Sequence, residues 1–497
     1  MGSKTLKVLR FFHLISKNKY NVKRQIETIR ESKLFDENWY LLQNPDVENI
    51  KDKALIHYVK YGWKEGRNPN ENFSSAEYLK SFPELKEKNV CPLFHYIKKN
   101  KHKNNFETEQ FVKHLLDVCE AKDKFVKKDE SGVDFYNLTK LIAFYLPQYH
   151  LFAENEKWHG KGFTEWTNVT KALPHFVGHY QPQLPIDVGF YDLTNIDVMK
   201  RQVELAKLYG VFGFCFHYYW FSGKKLMEKP IENWLKHKEI DFPFCLCWAN
   251  ENWSKLWDGG DKEVLMKQEL LNGDDEKFAR DILPFFKDKR YIRIKGKPVL
   301  VVYRASMFDK KRFRSFVLNL KKVCKENGID DVYVCLTNSF SFSENPKEWN
   351  ADAIVEFPPH MIVAPVIKKD VAFYNSRLNV YDFKYYIKEK KHIYKTPYTL
   401  FKTVFPSWDN TARKGFSGGS VFEGCDPFLY QKWLEDCIKY TKKEHDKEEQ
   451  FVFINAWNEW AEGAHLEPDR YYGYAYLDAT KRALYETSKL NKYKKVS

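Results

Sequence analysis

A chain of 497 residues with 43% apolar content is too long for one ordinary domain and carries ample material for a sizeable core. Its formal net charge of +14 would suit nucleic acid, but the basic residues are mostly Lys scattered along expected helices, with no zinc-finger, RNP-type or helix-turn-helix signature; nucleic acid is not an expected partner. The nine cysteines show no framework spacing, no run approaches the ~18 apolar residues of a membrane span, and no cleavable leader is evident, so a reduced, cytoplasmic chain is expected.

Residues 1–34 read as a basic amphipathic segment. Leu6, Leu9, Phe12 and Ile15 stand beside Lys4, Lys7, Arg10, Lys17, Lys19, Lys23 and Arg24. Residues 4–24 could therefore contact the inner membrane peripherally, although a helix docked on its own domain is the preferred reading. Residues 35–103 hold an internal repeat: Phe35, Tyr40, Pro45 and His57-Tyr58 recur as Phe73, Tyr78, Pro83 and His95-Tyr96 at a constant offset. Each unit reads as two short helices. The two His are read as hydrogen-bonding residues on half-buried helix faces rather than metal ligands. Residues 104–138 read as a helix and linker.

From residue 139 to 490 the pattern becomes strand and helix in alternation. Apolar runs begin at Leu141, Val211, Phe242, Lys297, Asp331, Ala351, Thr399 and Phe451, most followed by an amphipathic stretch such as residues 198–210, 275–288 or 427–443. Eight short strands over about 350 residues fit a (β/α)8 barrel, the α/β fold class expected here, preceded by the small all-α repeat domain. A doubly wound sheet is the competitor, but the turn after the first strand reads Tyr-Leu-Pro-Gln-Tyr-His instead of a Gly-rich phosphate loop. Cys245 and Cys247 are assigned to opposite faces of their strand, unable to bridge or chelate as a pair. Asp274 is read as the cap of the helix that follows it.

Polar and aromatic residues gather where these strands end. The expected substrate contacts are Tyr149, His150, Trp166, His217, Tyr218, Tyr219, Trp220, Trp248, Asn250, Glu251, Asn252, Glu356, Trp408, Trp457, Asn458 and Trp460. In a barrel such ends converge on one face, where active sites sit. Indoles pack on the C–H face of a pyranose, amides bond hydroxyls and carboxylates move protons. The stretch Phe451 to Asp469 concentrates all three, and by itself reads equally as a strand running into a helix cap. His159 and Glu165 match no standard metal cluster; the aromatics of their loop are the better substrate candidates.

The motifs AFYLPQYH (143–150), WHGKGFTEWTNV (158–169), HYYW (217–220), WANENW (248–253) and WNEWAEG (457–463) together resemble glycoside hydrolase family 99 and the WbsX-type proteins of O-antigen and capsule clusters, over residues 141–486. The helical repeats likewise resemble modules found beside surface-polysaccharide enzymes. The family 99 resemblance implies that Glu459 and Glu462 are the catalytic pair, acting with retention through a 1,2-anhydro intermediate. Glu459 would be the base on the sugar 2-hydroxyl, and Glu462 the acid whose pKa must be raised. Ala461 stands where the hydrolase motif often has His, so mannose specificity is not carried over. No cofactor and no metal are implied, and the partner is an oligosaccharide or polysaccharide. A glycosyltransferase working through the same site and a noncatalytic glycan-binding protein remain alternatives.

Overall fold

The structure is a computed structural model that describes residues 21–47, 54–99, 124–131, 138–176, 178–254, 264–367 and 377–493. Most of the basic segment 4–24 and of the stretch 104–138 lies outside the described residues. No helix among the described residues is long and apolar enough to cross a membrane. The chain divides into two compact units, Met1–Lys113 and His114–Ser497.

In the first unit the repeat is duplicated down to single hydrogen bonds. Asp36 and Ser74 cap the helices Glu37–Gln43 and Ser75–Ser81 by accepting from the backbone N–H of Trp39 and Glu77. Tyr40 Oη lies 3.0 Å from His57 Nδ1, and Tyr78 Oη lies 3.0 Å from His95 Nδ1. Both imidazoles therefore serve as hydrogen-bonding partners of a Tyr.

The second unit is a parallel barrel. Its strands are β1 (Lys140–Tyr145), β2 (Val211–Phe221), β3 (Phe244–Trp248), β4 (Lys297–Val302), β5 (Tyr333–Thr337), β6 (Ala353–Val355), β7 (Leu400–Phe401 and Thr403–Val404) and β8 (Phe451–Ile454). Each pairs in parallel with the next from β1 to β6. The first half of β7 pairs with β6 and its second half with β8, and β8 returns to β1. The ring therefore closes at Lys402, between the two halves of β7. Strands covered on both faces read as unbroken apolar runs, which is why β3 and β8 are buried at every position.

Helices Ile196–Leu208, Lys229–Lys236, Asp274–Phe286, Lys310–Glu326 and Pro427–Glu444 follow the expected order. Between β5 and β6 the chain carries only 3-10 turns, Ser339–Ser341 and Pro346–Trp349. Asp274 is not the cap expected from the sequence: Gly273, at φ 85°, takes that position. The turn needs a left-handed residue, so the cap falls to glycine, and the Asp274 carboxylate instead accepts from Leu271 N–H at 2.8 Å.

Side-chain alternation also corrects the reading of the cysteines. Residues two apart on a strand share a face, and the thiols of Cys245 and Cys247 both interact with Cys215. Backbone approach is close at Gly213 on β2, where a Cβ would sit 2.8 Å from Pro243 O and 3.0 Å from Ile292 Cδ1. Gly213→Ala is expected to cost about 1–3 kcal/mol. A thermal midpoint equal to that of the parent chain would show that the strands can part to accept the methyl group.

Candidate active site

A cavity of about 390 Å3 opens at the carboxyl ends of the barrel strands. Alternation decides what reaches it. On β2, His217 and Tyr219 face the cavity, whereas Phe216 packs on Trp234 and Tyr218 on Phe278 and Phe285 in the surrounding helices. On β3 and the loop after it, Ala249 and Glu251 face inward, and Trp248 faces outward against Phe278, Phe308 and Phe316. His217 is fixed by stacking on Phe144, with ring centroids 5.6 Å apart, and its imidazole interacts with the Cys247 thiol.

Glu459 and Glu462 both line this cavity. Between them stands Arg413, on the short helix Thr411–Lys414 beyond β7. Its Nη1 donates to Glu462 Oε1 at 2.7 Å, and its Nη2 donates to Glu459 Oε2 at 3.3 Å. The other edge of the guanidinium holds Glu165, through Nε at 3.0 Å and Nη2 at 2.8 Å. Charge-assisted contacts of this kind fix geometry as well as charge. Burial lifts the Glu459 carboxyl to about 7; Glu462 adds to the rise, and Arg413 and His217 oppose it. The family resemblance calls for the raised carboxyl at Glu462; of the pair, Glu459 is the more buried, its side chain 8% exposed against 21% for Glu462.

Of the residues expected from sequence, the cavity brings together His217, Tyr219, Glu251, Trp408, Glu459 and Glu462. The others lie elsewhere, each for a packing reason. Tyr218, Trp220 and Trp248 face the helices; the Trp220 indole donates to Asp281 at 2.7 Å. The Asn250 amide holds the backbone N–H and C=O of Arg304, and Asn252 accepts from Gln268 N–H. Glu356 points into the barrel wall, where Lys402 Nζ meets it at 2.7 Å. His150 is fully buried, with its Nδ1 donating to Pro147 O.

Tyr149, Trp166, Trp457, Asn458 and Trp460, expected as substrate contacts, pack behind the loop that carries the two carboxylates and do not line the cavity. Tyr149 Oη donates to Asn458 O and accepts from Trp460 N–H. Asn458 fastens Leu146 through both its side-chain atoms, and the Trp166 indole donates to Tyr191 O. Glu467 takes the indole N–H of Trp457 at 3.1 Å and of Trp460 at 2.7 Å, with Tyr191 and Gln202 completing its shell. A buried carboxylate with four donors locks the two tryptophans that bracket Glu459.

Sequence reasoning missed Arg413, Glu467 and the cavity residues Phe340 and His360. Loop positions such as these have no periodicity to expose them. Glu165, a weak metal-ligand candidate in the sequence, pairs with Arg413, while His159 stacks on Phe163 at 4.5 Å. Glu251 is held by Arg304 at 2.6 Å, under the ring of Phe340.

Together, fold and cavity define a (β/α)8-barrel protein with a carboxylate pair at the carboxyl ends of its strands. The chain belongs to the family described as Glycosyltransferase WbsX, which matches residues 141–480. It is similar to the uncharacterized protein WxcX of Xanthomonas campestris pv. campestris strain B100, with 41% identity over 351 residues, 69% of this chain and 49% of that protein. The chain thus spans about half the length of that relative. Among solved structures it is similar to the family 99 endo-α-mannosidase of Bacteroides thetaiotaomicron, at TM-score 0.44 and 14% identity over 71% of this chain and 99% of that one. A family 26 β-mannanase of Bacteroides ovatus gives 0.30 and 12% over 75% and 92%.

Proposed function

We propose that this chain acts on glycosidic bonds of a bacterial surface polysaccharide, O-antigen or capsule, during its assembly or turnover. The observation that carries the reading is that Glu459 and Glu462 line one cavity, bridged by a single guanidinium. Membership of the WbsX family supports a glycan as substrate. In the proposed route one carboxylate takes the proton of the sugar 2-hydroxyl while its oxygen closes on C1. The other gives a proton to the departing glycosidic oxygen as its bond to C1 breaks. That second group then deprotonates the incoming hydroxyl, whose oxygen attacks C1; the C1–O2 bond opens, and O2 recovers its proton from the first. Two inversions at C1 leave its configuration retained.

Transfer to a sugar acceptor is the second reading, favoured by the family's description. It uses the same steps with a sugar hydroxyl in place of water. A nucleotide-sugar donor suits the cavity less well. Its diphosphate would meet Glu251, Glu459 and Glu462 in the cavity wall, where Arg304 and Arg413 are already paired with them and Lys414 is the further cation of the lining. Incubation with a panel of bacterial repeat-unit oligosaccharides, with and without an acceptor sugar, tests the reading. New reducing ends or lengthened products support it. Binding without turnover across the panel supports a noncatalytic glycan-binding protein instead.

A further inference from the structure

We propose that the amino end of the barrel carries a second ligand site that takes an organic phosphate, with its phosphate group against Lys140 and Thr139 and its apolar body against Leu138, Phe212 and Pro243. The site is independent of the glycan chemistry proposed above. A cavity of about 710 Å3 opens where β1, β2, β3 and β8 begin, against about 390 Å3 for the cavity that holds the carboxylate pair. Barrel enzymes work at the carboxyl ends of their strands, so a ligand at this end stands apart from the reacting bond.

Strand alternation puts a cation at the bottom of the barrel. Lys140, Ile142 and Phe144 share one face of β1, and Phe144 stacks on His217 inside the barrel, so Lys140 also faces inward. Its ammonium lies 5.0 Å from the ring of Phe451, its register partner on β8, and 5.1 Å from the ring of Phe212. Phe212 is the extra residue where β2 slips one place against β1. Among the described residues the half-buried Lys140 ammonium has no hydrogen bond and no ion pair; burial pulls it below the usual lysine range, and Glu448 opposes that shift. Contact with ring faces leaves its three N–H donors without acceptors. Beside it Thr139 is 3% exposed, and its Oγ1 has no hydrogen-bond partner. Unmet donors away from water are costly, and an anion in the cavity would satisfy both.

The surrounding charges decide the sign of the ligand. Lys207, near the end of helix Ile196–Leu208, and Lys447 also line the cavity, together with the carboxylates of Asp241 and Glu448. Lys207 meets Asp241 only at 3.8 Å, and Glu448 already accepts from Lys295 N–H at 3.0 Å. A smaller adjoining hollow shares Lys140, Phe212, Asp241 and Pro243, and adds Lys289, Arg290 and Arg293. Arg290 is engaged by Asp288 and by the carbonyls of Trp234, His237 and Ile240, and Arg293 by Phe286 O. Lys140, Lys207, Lys289 and Lys447 remain to face an anion, drawn from four separate segments. A phosphate monoester carries three acceptor oxygens and about two negative charges, enough to meet several cations and a hydroxyl at once.

The test titrates the full chain with phenyl phosphate, inorganic phosphate and benzyl alcohol, read by ligand-observed 1H and 31P NMR. Phenyl phosphate is expected to bind one to one, inorganic phosphate to displace it, and benzyl alcohol to bind more weakly. Lys140→Met keeps the stem between the two rings and is expected to weaken phenyl phosphate about 10–100-fold; Thr139→Val, the same shape without the hydroxyl, about 3–10-fold. Glu448→Gln removes a negative charge from the lining and is expected to tighten binding. Should Lys140→Met fail to fold, the opposite shifts of Thr139→Val and Glu448→Gln still carry the test, because structural damage does not strengthen a site. Vesicles of phosphatidylcholine with phosphatidic acid separate two sources of the same group. Retention that falls with Lys140→Met assigns the phosphate to a lipid headgroup, and no such dependence assigns it to a soluble phosphate. The proposal is overturned if phenyl phosphate does not bind, if benzyl alcohol binds as tightly, or if the variants leave the affinity unmoved.

Discussion

Glu459→Gln and Glu462→Gln are each expected to lower kcat on a cleaved oligosaccharide by about 10²–10⁴-fold while glycan affinity is retained. The amide fills the same space and still offers hydrogen bonds, but it neither accepts nor donates the proton the reaction requires. Both side chains belong to one loop, held from behind by Glu467, Tyr149 and Asn458, so the exchange leaves the cavity wall in place. Loss of affinity with kcat preserved would show that the pair binds sugar without moving protons. Steady-state kinetics, with Kd from calorimetry on the same variants, separates the two outcomes.

Lys402→Met is expected to cost about 3–5 kcal/mol of stability, read as a lower midpoint of chemical denaturation. Lys402 interrupts β7 where the barrel closes. Its side chain is 1% exposed, and its ammonium meets Glu356 Oε1 at 2.7 Å, His392 O at 3.0 Å and the ring of Tyr394 at 3.6 Å. Glu356 also accepts from Thr403 N–H at 3.1 Å, which ties β6 to β7 at the seam. Met retains the length of the stem but leaves Glu356 as a buried charge with no cation. The companion variant Glu356→Gln with Lys402→Met removes that charge and is expected to recover much of the loss. A single Met variant as stable as the parent chain would contradict the assignment of this pair to the barrel seam.

The eight strands were legible because a strand covered on both faces writes an unbroken apolar run, and the helices because their apolar stripes repeat at helical spacing. Glu459 and Glu462 were legible because carboxylates directly after such a run have few structural reasons to be there. The facing of the aromatics was not. HYYW places His217 and Tyr219 on one side and Tyr218 and Trp220 on the other, yet all four are equally plausible sugar contacts when read as composition. The same lapse set Cys245 and Cys247 apart, although two-residue spacing puts them together. Trp457 and Trp460 misled in another way, since an indole whose N–H meets a buried carboxylate looks, in sequence, like one that meets a sugar. Arg413 carries no local signal at all: the three carboxylates described above come from helix Glu165–Thr170 and from the loop after β8, and only the fold brings them within its reach.

If the two carboxylates work on a glycosidic bond with the sugar's own 2-hydroxyl as nucleophile, the stereochemistry of the first product records it. That product, formed from a cleaved or transferred oligosaccharide, is read by 1H NMR before mutarotation. Retention of the anomeric configuration, together with loss of turnover when the 2-hydroxyl is replaced by hydrogen, is the predicted result. Inversion at that carbon, or undiminished turnover of the 2-deoxy substrate, would contradict it.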